Sequence, residues 1–146
     1  MDVKIVCEND KYKPVYANST DACMDLKVKV DEGKSIIAPY TSKRFSTGIK
    51  VQIPEDYVML IFPRSSIGFK LHCMLSNTTG IIDAGYRDEI LLSLYNFGDS
   101  AVEIEDGQRI AQMMIIPRPK LNLVQVKDDD EFKTGNRNGG IGSTGR

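Results

Sequence analysis

GIIDAGYRDEI, residues 80–90, reads as two strand ends joined by a turn, and that reading decides what the rest of the chain must build. Gly80, Ile81 and Ile82 lead in, and the apolar run resumes as EILLSLYNF over 89–97. Between them Asp-Ala-Gly-Tyr is good turn chemistry: Asp83 can bond its own backbone, and Gly85 is free to adopt a positive φ. A hairpin at this point implies antiparallel sheet. The same turn crowds a carboxylate (Asp83), a phenol ring (Tyr86) and a guanidinium (Arg87) together, which marks it as a candidate site.

The neighbouring sequence follows the same rhythm. VKIVC (3–7), MDLKVKV (24–30), KSIIAP (34–39), GIKVQI (48–53), YVMLIF (57–62), AVEIEDG (101–107), RIAQMMII (109–116) and LNLVQV (121–126) are short β-rich runs parted by Gly, Pro, Asn, Asp or Ser. This pattern predicts an all-β sandwich, jelly roll or barrel with little helix. MDLKVKV and GIKVQI alternate like strands wetted on one face, whereas YVMLIF and RIAQMMII are apolar nearly throughout and suit strands covered on both sides, one of them by another subunit. PRSSIGFK (63–70) breaks the rhythm, either as a helix capped by Ser65 or Ser66 or as a loop with outward donors.

At 146 residues the chain fits one domain with a core that needs no staples. With 19 basic and 20 acidic residues its net charge is −1, which advertises neither nucleic acid nor a membrane surface as partner. Cys7, Cys23 and Cys73 are odd in number and far apart, unlike a disulfide framework or a zinc site, and read as reduced thiols. A single histidine, His72, cannot build a histidine metal cluster and reads as a loop residue. No apolar run approaches a membrane span and the first residues lack a signal-peptide core, so the expected protein is soluble, intracellular and cytoplasmic. Residues 1–132 form the expected β core. The tail KTGNRNGGIGSTGR (133–146), with five glycines, has almost nothing to bury and is expected to be flexible, either a disordered end or a loop that folds over polyphosphate as a phosphate-binding lid.

Two segments carry the equipment of a phosphate site. Arg64 with Ser65 and Ser66 offers a guanidinium beside small hydroxyls, and Arg137 with Ser143 and Thr144 offers the same among glycines. In chain order, DACMDL (21–26), PRSSIG (63–68), NTTGIIDAGYR (77–87), GQRIAQ (107–112) and RNGGIGSTG (137–145) resemble the five ordered motifs of the homotrimeric dUTPases, from about residue 15 to the end. Five motifs in order are far more specific than any one alone.

The resemblance implies a β jelly-roll, barrel-like subunit, a homotrimer with sites shared between subunits, and hydrolysis of dUTP to dUMP and pyrophosphate with Mg²⁺. It implies that Asp83 deprotonates the water attacking the α-phosphorus. It places Tyr86 under the deoxyribose, and Asn77, Gly80 and Ile82 against uracil. Arg64, Ser65, Ser66, Gln112, Arg137, Ser143 and Thr144 fall on phosphate-binding positions, and Asp25 on the carboxylate that holds the metal through water. Mg²⁺ generally relies on substrate phosphates and few carboxylates, which suits one such residue. Three positions differ from the usual pattern. Cys23 replaces a glycine, Gln108 an acidic residue, and Ile141 the phenylalanine that stacks on uracil.

Two rival functions share this scaffold. A dCTP deaminase needs a glutamate proton shuttle on the strand after the turn, where this chain has Ser93, and a serine cannot shuttle protons near neutral pH. A non-catalytic module binding a nucleotide or a regulatory protein would have no use for Asp83.

Overall fold

The computed structural model describes residues 1–127. The predicted strands form as β1 (Lys4–Cys7), β2 (Met24–Lys27), β3 (Lys34–Ile37), β5 (Ile49–Gln52), β6 (Tyr57–Pro63), β9 (Leu91–Asn96), β10 (Val102–Glu105) and β11 (Arg109–Pro117). Pattern reading misses β4 (Ser42–Ser46) and β7 (Cys73–Leu75). Of β4 only Phe45 is buried, and β7 is three residues long, so neither shows a period of two over a useful length. Among the described residues, a short 3₁₀ turn (Asp10–Tyr12) and one helix, α1 (Ser65–Leu71), accompany the strands.

The 80–90 stretch does not form the hairpin its turn chemistry predicts. β8 (Gly80–Ile82) pairs antiparallel with β6, whereas β9 lies between β4 and β7 in another sheet. Residues 83–90 therefore cross between sheets, and no hairpin forms. LNLVQV likewise forms no strand: Leu121, Leu123 and Val124 are 81%, 89% and 74% exposed. PRSSIGFK takes its helical alternative, but Arg64 occupies the N-cap without a side-chain cap bond, and Ser65 and Ser66 enter the first turn.

The sheets β2-β11-β6-β8 and β4-β9-β7, with the ribbons β1-β5 and β3-β10, close on one core. Alternation sends Met59, Ile61, Ala111 and Met113 inward from the first sheet and Phe45, Leu92 and Leu94 from the second. The outer face of the first sheet is also apolar. Register sets Met114 opposite Leu60, Ile116 opposite Val58 and Leu60 opposite Ile81, with Phe62 opposite Gln112. Ile81 is 67% exposed there. Antiparallel sheets with a solvent face normally make it polar, so this face has the composition of one that is covered.

Asp106 ties distant segments together at the β10–β11 turn. Its carboxylate accepts from the Tyr12 hydroxyl at 2.9 Å and the Val30 amide at 2.9 Å, and it pairs with Lys11. Burial alone would raise its pKa, but the bonds from Lys11, Val30 and Tyr12 outweigh that and lower it. A depressed folded pKa means the stabilisation is present above the unfolded value of about 3.9 and is lost as pH falls through the folded value. Asp106→Asn is expected to cost about 1–3 kcal/mol at neutral pH and to weaken the acid-side loss of stability. Denaturant titrations at pH 7 and pH 3 check this, and an undiminished pH dependence in the variant would refute it.

Candidate active site

The candidate residues occupy two places. The first is the 83–90 crossover. Its entry is set by β8, where Gly80 packs so closely that a Cβ would lie 3.0 Å from that of Ile61. Asp83 is exposed, and its carbonyl accepts the Tyr86 amide at 3.0 Å to close the turn. It borders a cleft of about 740 Å³ that also meets Gln52, Pro54, Arg87 and Arg118. Arg87 turns back on its own loop, donating to the carbonyls of Ala84 at 2.5 Å and Tyr86 at 2.9 Å. The Tyr86 hydroxyl donates to the Glu89 carbonyl at 2.8 Å. With its hydroxyl engaged, Tyr86 offers a ligand chiefly its ring.

Asn77, Gly80, Ile82 and Ser93 border a small cavity of about 70 Å³. The turn before it is strained: Thr78, a β-branched residue, has φ 61°, and the Thr79 amide bonds back to the Asn77 carbonyl at 2.6 Å. Ser93 shares a hydrogen bond with Ser76, hydroxyl to hydroxyl, at 2.8 Å.

The second place lies at the far end of β6. Arg64, Ser66, Lys70, Gln108 and Arg109 line a cleft of about 400 Å³. Asp25, buried on β2, is gripped there from both sides, by Arg64 Nε at 2.8 Å on Oδ1 and Arg109 Nη1 at 2.9 Å on Oδ2. Such charge-assisted bonds are strong, and removing one arginine would leave the buried carboxylate with a single partner. The pair fixes Arg64 at the mouth of the cleft. Gln112 sits opposite both Asp25 and Phe62 and donates one amide hydrogen to the Pro63 carbonyl at 3.2 Å, leaving the other free for a ligand.

These places are well separated within one chain. Ile82 is opposite Met59, so Asp83 falls level with Val58, six residues from Arg64. At ~3.3 Å per residue that is ~20 Å, more than a triphosphate spans. Arg137, Ile141, Ser143 and Thr144 lie outside the described residues, as does the expected lid at 133–146. Sequence reading did not single out Arg109 or Lys70. Arg109 stood within the GQRIAQ motif, but its contact with a residue 84 positions away leaves no local signal.

A carboxylate turn with an aromatic ring at one end of a strand, and arginines with small hydroxyls at the other, are parts that suit an enzyme acting on a phosphorylated substrate. The chain belongs to the dUTPase family, whose model matches residues 10–145. It is 40% identical over 146 residues to the deoxyuridine 5'-triphosphate nucleotidohydrolase of Clostridium tetani, covering 100% of this chain and 97% of that one. The enzyme of that name from Escherichia phage T5 is 33% identical, with 98% of each chain covered. Among solved structures, the dUTPase of Staphylococcus bacteriophage 80alpha with dUPNHPP superposes with a TM-score of 0.84 at 25% identity, covering 99% of both chains.

Proposed function

We propose that this chain hydrolyses dUTP to dUMP and pyrophosphate in sites shared between the subunits of a homotrimer. One observation carries the shared site: the ~20 Å that the strand register puts between Asp83 and Arg64, with the apolar face of Leu60, Phe62, Ile81 and Met114 on the sheet between them. Covering that face with a second subunit would bury apolar surface and bring one chain's Asp83 towards another's Arg64 and Gln112. The exposed Leu121, Leu123 and Val124 also suit an extended arm that finds its partner in another subunit.

In this reading Asp83 takes a proton from a water whose oxygen attacks the α-phosphorus, and the bond to the bridging oxygen of pyrophosphate breaks. Arg64, Ser65, Ser66 and the free amide hydrogen of Gln112 hold the phosphate oxygens. The Tyr86 ring lies against deoxyribose, while Asn77, Gly80 and Ile82 meet uracil. The tail residues Arg137, Ile141, Ser143 and Thr144 are assigned to closure over the substrate on sequence alone.

The donor set fits Mg²⁺ arriving with the triphosphate. Among the described residues no three His, Cys, Asp or Glu side chains gather into a metal site. Asp25 accepts one guanidinium on each oxygen and keeps lone pairs for water in the shell of an ion. When bound, the ion would neutralise phosphate charge. The proposed compartment is the cytoplasm, in keeping with the free thiols of Cys7, Cys23 and Cys73. No helix among the described residues is long and apolar enough to cross a membrane.

Ser93 beside the small cavity supplies a hydroxyl where deamination would require a carboxylate, which favours hydrolysis over the deaminase reading. Incubation with each dNTP, UTP and Mg²⁺ should release pyrophosphate from dUTP and leave dCTP, dTTP and UTP poor substrates. Ammonia from dCTP would overturn the assignment.

A further inference from the structure

The exit of the 83–90 crossover is held by one side chain. A single carboxylate oxygen of Glu89, Oε1, accepts the Thr47 amide at 3.0 Å, the Gly48 amide at 2.6 Å and the Ser46 hydroxyl. Next to it, Thr47 Oγ1 donates to the Ile90 carbonyl at 2.6 Å, and the Ile90 amide donates to the Ile49 carbonyl at 2.9 Å. The β4–β5 turn, where Gly48 has φ 68°, is thereby tied to residues 89 and 90. Glu89 is also the residue whose carbonyl receives the Tyr86 hydroxyl at 2.8 Å. Its side chain faces the scaffold and its backbone faces the site.

We propose that Glu89 is a positioning residue for sugar selection: it locks its own backbone to the β4–β5 turn and thereby fixes the Tyr86 ring at the height that admits deoxyribose and excludes ribose. The inference rests on the dUTP reading above. Three donors converging on one ionised oxygen make a stiff anchor, because each bond is charge-assisted and they approach from separate groups. Burial acts to raise the Glu89 pKa, and the bonds from Ser46, Gly48 and Thr47 with the nearby Lys29 charge lower it, so the anchor is ionised at neutral pH. The crossover has no sheet partner of its own between Asp83 and Glu89, so a loosened exit would be felt at Tyr86.

The test compares kcat/KM for dUTP and UTP, with Mg²⁺, in the full-length protein and in Glu89→Ala and Glu89→Gln, each assayed well below its measured unfolding temperature. Glu89→Ala should reduce the dUTP/UTP ratio by about tenfold or more, since a misplacement of 1 Å costs up to about a hundredfold in rate. Glu89→Gln, whose amide oxygen can accept the same bonds without the charge, should lower the ratio less than Glu89→Ala does. If Glu89→Ala does not fold, Tyr86→Phe, which cuts the same link at its other end, and Glu89→Asp, which retracts the carboxylate, should both lower the ratio. A folded Glu89→Ala that melts earlier but discriminates like the unaltered protein would overturn the proposal, as would unchanged ratios in both substitute variants. An unaltered protein inert towards dUTP would instead overturn the substrate reading on which this rests.

Discussion

Asp83→Asn is expected to bind a dUTP analogue about as well as the unaltered chain while turning over about a hundredfold or more slowly, the range for loss of a general base. The isosteric amide keeps the turn, because what closes it is the Asp83 carbonyl receiving the Tyr86 amide, a backbone contact the substitution leaves alone. The side chain itself is exposed at the border of a cleft, so replacing it leaves no buried group unpaired. Loss of turnover with binding retained would therefore report chemistry and not collapse of the site. Isothermal titration with a non-hydrolysable analogue and steady-state kinetics would separate the two, and near-normal turnover would remove Asp83 from its role.

A second large effect is expected on mixing. Asp83→Asn and Arg64→Ala should each be nearly inactive, the latter also weakened in phosphate binding and left with Asp25 held by Arg109 alone. If the site takes Asp83 from one subunit and Arg64 from another, co-refolding equal amounts creates some sites with both residues intact. Random association gives roughly a quarter of sites in that state, so activity should return to about a quarter of the unaltered level. Light scattering should give the assembly a mass of about three times 16.3 kDa. If each chain built its whole site alone, mixing would restore nothing, because every chain in the mixture carries one defect. The ~20 Å between Asp83 and Arg64 along β6 argues for recovery.

Much of the design was legible in the residues. Short β-rich runs parted by turn residues located most of the strands, since strand propensity and turn chemistry are local properties of the chain. The continuous apolarity of YVMLIF and RIAQMMII foretold β6 and β11, whose outer faces carry Leu60, Phe62, Met114 and Ile116 beside the inner Met59, Ile61 and Met113. The five ordered motifs led to the family. Tertiary structure alone decided which strands meet. The 80–90 stretch has good hairpin chemistry, yet β8 pairs with β6 and β9 with β4 and β7, because sheet partners are chosen by long-range packing that local turn preference does not encode. LNLVQV has the pattern of a strand but no partner within the described residues, and a strand needs a neighbour to satisfy its backbone. Asp25 read as a carboxylate for a metal's water shell, and nothing local announced that Arg64 and Arg109, 39 and 84 positions away, also meet its two oxygens. Nothing local to Glu89 marks it out, and it becomes the anchor of the crossover only because the β4–β5 turn is brought against it. The sequence alone determined which residues could be strands and which could carry chemistry. Their pairings and partners depended on contacts between distant parts of the chain, where a side chain's role is set by what packing places beside it.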